Sequence, residues 1–243
     1  MQVLLHPSVP LFRAFEIPRG VTALVGGGGK TTLMFRLAHE LSTAHKVIVA
    51  TTTHVMRPSC MPVLEEPQAD DIRRALASHN AIFVGRVASE DKMTAAGIDA
   101  APLATMADYV LIEADGAKGK PLKAPAFYEP VIPACATLVI AVAGIDGLGR
   151  AIRETAHRPA LLAAALDTQE DHIITPEDLA KILTSADGQR RGVLPHQRFA
   201  ILLNKADDDV CRKYGEQTAA RVDPALAERV IIASLNRTEA SLC

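Results

Sequence analysis

The sequence predicts an α/β fold, a three-layer, doubly wound and mainly parallel sheet. Three observations lead there. Apolar, β-branched runs recur between helix-like stretches along the whole chain. Several of these runs are continuously apolar, as expected for strands covered on both faces of a parallel sheet. The first strong run breaks directly into four glycines that open a helical stretch, a strand–loop–helix unit characteristic of such folds.

Taken in order, residues 1–20 are expected to add an N-terminal edge strand or hairpin. Strands are predicted at 21–25, 46–50, 81–85, 109–113, 137–142, 199–203 and 230–234, each a short β-branched or aliphatic run. Helices are predicted at 31–43, 70–79, 159–166, 176–185 and 209–221. The start of the fourth is marked by Thr175 as N-cap, Pro176 at the first helical position, and Glu177 and Asp178 near the positive helix end. The stretch 143–158, with Gly144, Gly147 and Gly149, reads as loop-rich, and 186–197 as an exposed connection. No repeat, low-complexity tract or Gly/Ser linker divides the chain, so residues 1–243 are expected to form one domain with a sizeable core.

Composition excludes several classes. The chain is 49% hydrophobic, yet no window approaches the roughly 18 consecutive apolar residues of a membrane span. The start, Met1-Gln2-Val3-Leu4-Leu5, lacks the basic n-region of a signal peptide, so a soluble cytoplasmic protein is expected. A formal net charge of −2 and 4% aromatic residues give no support for nucleic-acid or membrane-surface partners. Cys60, Cys135, Cys211 and Cys243 are scattered without a C-x-x-C pair. Neither a disulfide framework nor a zinc site is expected, and Cys60 reads as an ordinary free thiol.

Chemistry concentrates first in Val25-Gly26-Gly27-Gly28-Gly29-Lys30-Thr31-Thr32. Glycines allow backbone N–H groups to converge on phosphate oxygens, and the following helix adds its positive end. Lys30 is then placed to reach the β- and γ-phosphates, and the Thr31 hydroxyl to bind Mg²⁺. The standard pattern G-x-x-x-x-G-K-[ST] would need a glycine where Leu24 stands. This is a shortened loop, closer to the G-x-x-G-K-T-T variants of Mur ligases and metallochaperone-type GTPases.

Further along, Tyr109-Val110-Leu111-Ile112-Glu113-Ala114-Asp115-Gly116 is a strand ending in two carboxylates. Period-2 alternation sends Glu113 and Asp115 to the same side, at the strand end where ligands bind in doubly wound sheets. That is the place for a carboxylate that holds Mg²⁺ or orients an attacking water. Asp115-Gly116 is also a common turn pair. Lys118, Lys120 and Lys123 follow; they could clamp a second anion or a transferring phosphoryl group, Lys118 acting catalytically, or be solvated. The run Thr51-Thr52-Thr53-His54 ends another strand; Thr52 is a candidate γ-phosphate contact and His54 a candidate proton carrier, against plain turn hydrogen bonding.

The last motif is Leu203-Asn204-Lys205-Ala206-Asp207. An aspartate at that position can accept from guanine N1–H and the 2-amino group, whereas adenine N1 presents a lone pair. The Lys205 stem would pack on the base and Asn204 brace the loop, with Ser234 on the next strand end. The alternative is that Asp207 and Asp208 cap the following helix. Together these residues form a nucleoside-triphosphate site whose nucleotide is GTP or ATP.

The four blocks, Val25 to Thr32, Ala50 to His54, Leu111 to Lys123 and Leu203 to Asp207, together resemble the YqeC family. Its proteins are described as accessory proteins of selenium-dependent molybdenum hydroxylases. Glu113-Ala114-Asp115-Gly116-Ala117-Lys118-Gly119-Lys120-Pro121-Leu122-Lys123 is the most specific block. The resemblance implies a P-loop NTPase fold and a role in maturing a molybdenum enzyme or its selenium-containing cofactor. A molybdenum hydroxylase or its maturation proteins would then be the partner. A small-molecule kinase or a Mur-type ATP-dependent ligase remains the competing expectation, suggested by the short loop and the lysines.

Overall fold

The computed structural model describes residues 1–235. The N-terminal part comprises β1 (Gln2–Leu5), α1 (Leu11–Ala14), β2 (Gly20–Gly26), α2 (Lys30–Ser42), β3 (Val47–Thr51), β4 (Val55–Met56), β5 (Val63–Glu65) and α3 (Ala69–Ser78). The middle holds β6 (Ala81–Ser89), β7 (Lys92–Thr94), α4 (Ala100–Ala104), β8 (Tyr109–Glu113), β9 (Leu122–Lys123) and β10 (Ala136–Gly144). A 3-10 turn (Ile145–Gly147), α5 (Ile152–Thr155), β11 (Ala156–His157), α6 (Pro159–Leu166), α7 (Pro176–Thr184), β12 (Arg198–Asn204), α8 (Asp209–Ala219) and β13 (Arg229–Ile232) follow.

The main sheet runs β1-β13-β12-β10-β2-β8-β3-β6-β7-β4, with β5 also paired to β6. Every pairing from β1 to β6 is parallel; only the β6–β7 and β7–β4 pairs are antiparallel. After β2 the chain crosses to β3 on one side, and after β8 it crosses to β10 on the other. The reversal lies at β2, so the carboxyl ends of β2, β8 and β10 flank the crevice where such sheets bind ligands.

Strand alternation sorts the core into two layers. Val21, Ala23 and Val25 of β2, Val110 and Ile112 of β8, and Val139, Ala141 and Ala143 of β10 face one side, packed against residues of α3, α4, α6, α7 and α8. Leu24, Leu111, Leu138, Ile140 and Val142 face the other side, covered by α1 and α2. The α2 residues Leu33, Met34, Leu37, Ala38 and Leu41 make one apolar stripe at helical spacing, and all are buried. The result is the three-layer, mainly parallel arrangement that the sequence predicts, consistent with the P-loop NTPase type.

Differences from expectation are local. The segment 1–20 supplies the edge strand β1, parallel to β13, and the short α1. β6 outruns its predicted end at residue 85 because beyond Gly85 it leaves the parallel layer and pairs with β7. The loop-rich 143–158 contains α5 and β11. The connection 186–197 is not wholly exposed: Gln189 is buried and donates through Nε2 to the Lys123 carbonyl at 2.6 Å. The Thr175 cap forms as read, its hydroxyl accepting from Asp178 N–H while the Asp178 carboxylate accepts from Thr175 N–H. Cys60, expected as a free thiol, is disulfide-bonded, a tertiary pairing that spacing along the chain does not reveal; Cys135 and Cys211 are free. Cys243 lies outside the described residues. No helix among the described residues is long and apolar enough to cross a membrane.

A buried chain of alternating charge fixes the segment after β8. Lys123 Nζ lies 2.8 Å from Asp115 Oδ2, 2.8 Å from Glu129 Oε2 and 2.6 Å from the Gly116 carbonyl, which it donates to. Glu129 also pairs with Arg158, whose guanidinium donates to the Tyr128 hydroxyl at 3.1 Å. A two-stranded parallel pairing of β9 with β11 aligns Lys123 with His157. Side chains of Lys123 and Asp115 are fully buried, so each charge depends on its partners for the solvation that water would supply.

Removing Lys123 leaves the buried Asp115 and the partly buried Glu129 each short of a cation. Lys123→Met is expected to lower the unfolding free energy by about 3–5 kcal/mol in urea titrations. Burial alone would raise the Glu129 pKa, but hydrogen bonds from Arg158 and Lys123 hold it down to about 2. A depressed carboxylate stabilises the fold above its ordinary value of 4.5 and loses that contribution as pH falls toward about 2. Thermal unfolding of wild type and Glu129→Gln should therefore differ most above pH 4.5 and converge near pH 2.

Candidate functional site

The crevice at the strand ends is a cleft of about 730 Å³. One wall is the β2–α2 junction. Gly28 has φ +73° and Gly29 φ +128°, backbone that side chains rarely adopt. Space also demands glycine there: a Cβ on Gly28 would stand 2.2 Å from Gly144 N, and one on Gly29 2.3 Å from Asn204 Nδ2.

The junction's N–H groups are divided between protein and cleft. Gly26 N–H donates to the Asp115 carboxylate at 3.1 Å, Gly27 N–H to the Val142 carbonyl at 2.9 Å, and Gly28 N–H to the Lys120 carbonyl at 3.0 Å. The first α-helical bond of α2 runs from Leu33 N–H to the Gly29 carbonyl at 2.9 Å. The helix therefore leaves the N–H groups of Gly29, Lys30, Thr31 and Thr32 without intrahelical partners. All four of these residues line the cleft. The N–H groups without intrahelical partners thus lie three residues further along the chain than the glycine run alone suggests, because Gly26, Gly27 and Gly28 use theirs to tie the loop to its neighbours.

Lys30 is buried and its ammonium donates to the Gly26 carbonyl at 2.5 Å, with Asp115 Oδ1 at 3.3 Å and Glu113 Oε1 at 3.5 Å. Thr31 donates its hydroxyl to Glu113 Oε2 at 2.7 Å. Glu113, the last residue of β8, and Asp115, two residues past its end, therefore both face one lysine. Their surroundings differ. Glu113 lines the cleft, and burial raises its pKa against the opposing pull of Lys30 and the Thr31 hydroxyl. Asp115 does not line the cleft; its oxygens face Gly26 N–H, Lys30 and Lys123.

At the end of β3, Thr52 N–H donates to the Glu113 carbonyl at 2.9 Å and the Thr51 hydroxyl to the same oxygen at 3.2 Å. Thr52 thus braces β8, while Thr53 and the exposed His54 are the residues of this run that reach the cleft. The three lysines after β8 diverge. Lys118 is exposed on the cleft lining, Lys120 donates to the Glu154 carbonyl at 2.8 Å, and Lys123 is the buried cation described above.

Asn204 is buried between two chain segments. Its Nδ2 donates to the Gly28 carbonyl at 2.7 Å and its Oδ1 accepts from Leu235 N–H at 3.1 Å. Lys205, at φ +65°, lines the cleft and pairs with Asp146 at 2.8 Å. Asp207 is exposed outside that lining and accepts from the Ser234 hydroxyl. Asp208 caps α8 by accepting from Cys211 N–H at 2.7 Å, so the capping alternative holds for Asp208.

Sequence reasoning passed over several lining residues: Lys92, Glu129, His157 and Arg158. They lie on β7, on the loop after β9, on β11 and just before α6, with no local motif to mark them. The useful signal was the charge of the neighbouring lysine block. Among the described residues no three His, Cys, Asp or Glu side chains group closely enough to hold a metal by themselves.

The sequence matches the family described as "YqeC protein" over residues 22–160, more than half of the chain. It is also 34% identical to "Uncharacterized protein YqeC" of Escherichia coli (strain K12), over 76% of this chain and 75% of that protein. The matched span runs from β2 through β11 and contains the glycine loop, Glu113, Asp115, the three lysines, Glu129 and His157. On both comparisons, the chain belongs to the YqeC family.

Proposed function

We propose that this chain is a Mg²⁺-dependent protein that binds and hydrolyses a nucleoside triphosphate. The observation that carries the reading is the β2–α2 junction. Gly28 and Gly29 have no room for a side chain, four residues whose N–H groups lack intrahelical partners line the cleft, and Lys30 is buried beside them. A buried lysine at a helix N-terminus, with open N–H groups around it, is a built site for phosphate oxygens.

The donor set also fits the metal. Thr31 hydroxyl and Glu113 carboxylate are hard oxygen donors 2.7 Å apart, and Mg²⁺ commonly takes few protein ligands beside phosphates and water. Mg²⁺ held there would supply positive charge against the negative charge that develops on the phosphates. Thr31 and Glu113 are the residues assigned to hold it. Asp115 acts as a positioning residue, orienting Lys30 and the start of the loop. Lys30 neutralises phosphate charge, and Thr53 and His54 border the γ-phosphate position. Asn204 secures Gly28, Lys205 lies along the base, and Asp207 with Ser234 reads a guanine edge.

We further assign the nucleotide cycle to maturation of a selenium-dependent molybdenum hydroxylase or its cofactor; family resemblance alone supports this part. The second reading, a small-molecule kinase or Mur-type ATP-dependent ligase, is favoured by the exposed Lys118 on the cleft lining.

Lys30→Ala is expected to abolish nucleotide binding in calorimetry, and unchanged affinity in a folded variant would remove the central claim. Thr31→Ala should cut the Mg²⁺-dependent part of the affinity by about tenfold, the scale of one charge-assisted contact. Wild type titrated with GTP and ATP should prefer GTP, with Asp207→Asn erasing the difference. A clear ATP preference would instead withdraw the base-reading role of Asp207 and favour the kinase or ligase.

A further inference from the structure

The cleft is longer and more basic than the phosphate loop alone requires. Its lining carries Lys30, Lys92, Lys118, Lys120, Lys205 and Arg158 against Glu113 and Glu129, in a chain whose formal net charge is −2. Half of these cations are matched by carboxylates. Lys30 faces Glu113 and Asp115, Lys205 faces Asp146, and Arg158 faces Glu129. Among the described residues Lys92, Lys118 and Lys120 have no ion-pair partner, and Lys120 donates instead to the Glu154 carbonyl at 2.8 Å.

Sheet order separates this surplus from the nucleotide's base. Asn204 ends β12, two strands from β2 on one side, and Lys205 follows it; Lys118 follows β8, the neighbour of β2 on the other. β9 and β11 then bring His157 beside Lys123, with Arg158 next in the chain. Lys118 and Arg158 both hold left-handed backbone, at φ +48° and +64°, although neither is glycine. Such conformations persist where the surroundings enforce them, often at binding sites. The local field is positive: burial lowers the pKa of His157, Arg158, Lys123 and Lys118 lower it further, and Glu129 alone opposes them.

We propose that this end of the cleft is a second oxyanion subsite, formed by Lys118, His157 and Arg158, which holds a small acceptor bearing carboxylate or phosphate groups. The subsite lies beyond the γ-phosphate position and rests on the nucleotide reading above for its relation to that phosphate. Lys118 is its free cation. Arg158 is held rigid by Glu129 and Tyr128, so it contributes direction as well as charge.

The His157 ring reports occupancy. NMR signals of the full-length chain, with His157 assigned by His157→Gln, are followed with Mg²⁺ and a non-hydrolysable triphosphate at saturation. Succinate and inorganic phosphate are titrated separately, with chloride holding ionic strength constant. A bound dianion offsets the surrounding cations, so saturable movement and a higher His157 titration midpoint are expected. Lys118→Ala should weaken the apparent affinity about tenfold, and Lys118→Arg should retain most of it. A response to succinate alone identifies a carboxylate acceptor, and one to phosphate alone a phosphorylated acceptor. No saturable movement with either probe, or equal affinity in Lys118→Ala, overturns the subsite. If the triphosphate itself fails to bind, the nucleotide reading falls, and the same titration without nucleotide still decides the subsite by its dependence on Lys118.

Discussion

Asp115 is the group on which the site's geometry depends. It is fully buried at the end of β8, and such a charge persists only where cations and N–H groups replace water. Gly26 N–H, Lys30 and Lys123 do so. Each of those contacts fixes a different part of the cleft. The Gly26 bond holds the start of the glycine loop against β8. The Lys30 contact orients the cation at the mouth of α2. Lys123 carries the connection onward through Glu129 to Arg158, which positions the far wall. One carboxylate thus links both ends of the cleft.

A second set of bonds holds the loop from above. Gly27 donates to β10, Gly28 donates to the segment after β8, and Asn204 reaches from β12 to the Gly28 carbonyl. A glycine run is entropically costly to order, and these bonds offset that cost by giving each early glycine a fixed partner. The open N–H groups are left to the first residues of α2, where the helix dipole adds to them. Division of labour follows directly: Gly26 to Gly28 shape the loop, and Gly29 to Thr32 face the cleft.

The proposed chemistry is likewise split along the sheet. Residues after β12 lie toward the proposed base, those at β2 and β8 toward the phosphates, and those after β8 and β11 toward the proposed acceptor. A parallel doubly wound sheet makes this possible because all these strands end on the same edge. Differences in burial then separate chemically similar groups. Glu113 faces the cleft while Asp115 does not, and Lys118 is exposed while Lys123 is buried, although each pair is close in sequence.

Periodicity and composition along the chain were enough to determine the parallel sheet, its buried strands and five principal helices. The reason is that burial on two faces selects continuous apolar runs, and capping signals such as Thr175 act within a single turn. The glycine loop, Lys30, Thr31, Glu113 and Asn204 were equally legible, since each belongs to a contiguous motif on a strand end. Tertiary structure alone decided which N–H groups open onto the cleft, that Asp115 turns inward to Lys123, and that Asp207 stands outside the lining. It also brought in Lys92, Glu129, His157 and Arg158. Their positions depend on the β6–β7 hairpin, the β9–β11 pairing and buried ion pairs between residues far apart in sequence, and no local pattern records such long-range desolvation and charge balance.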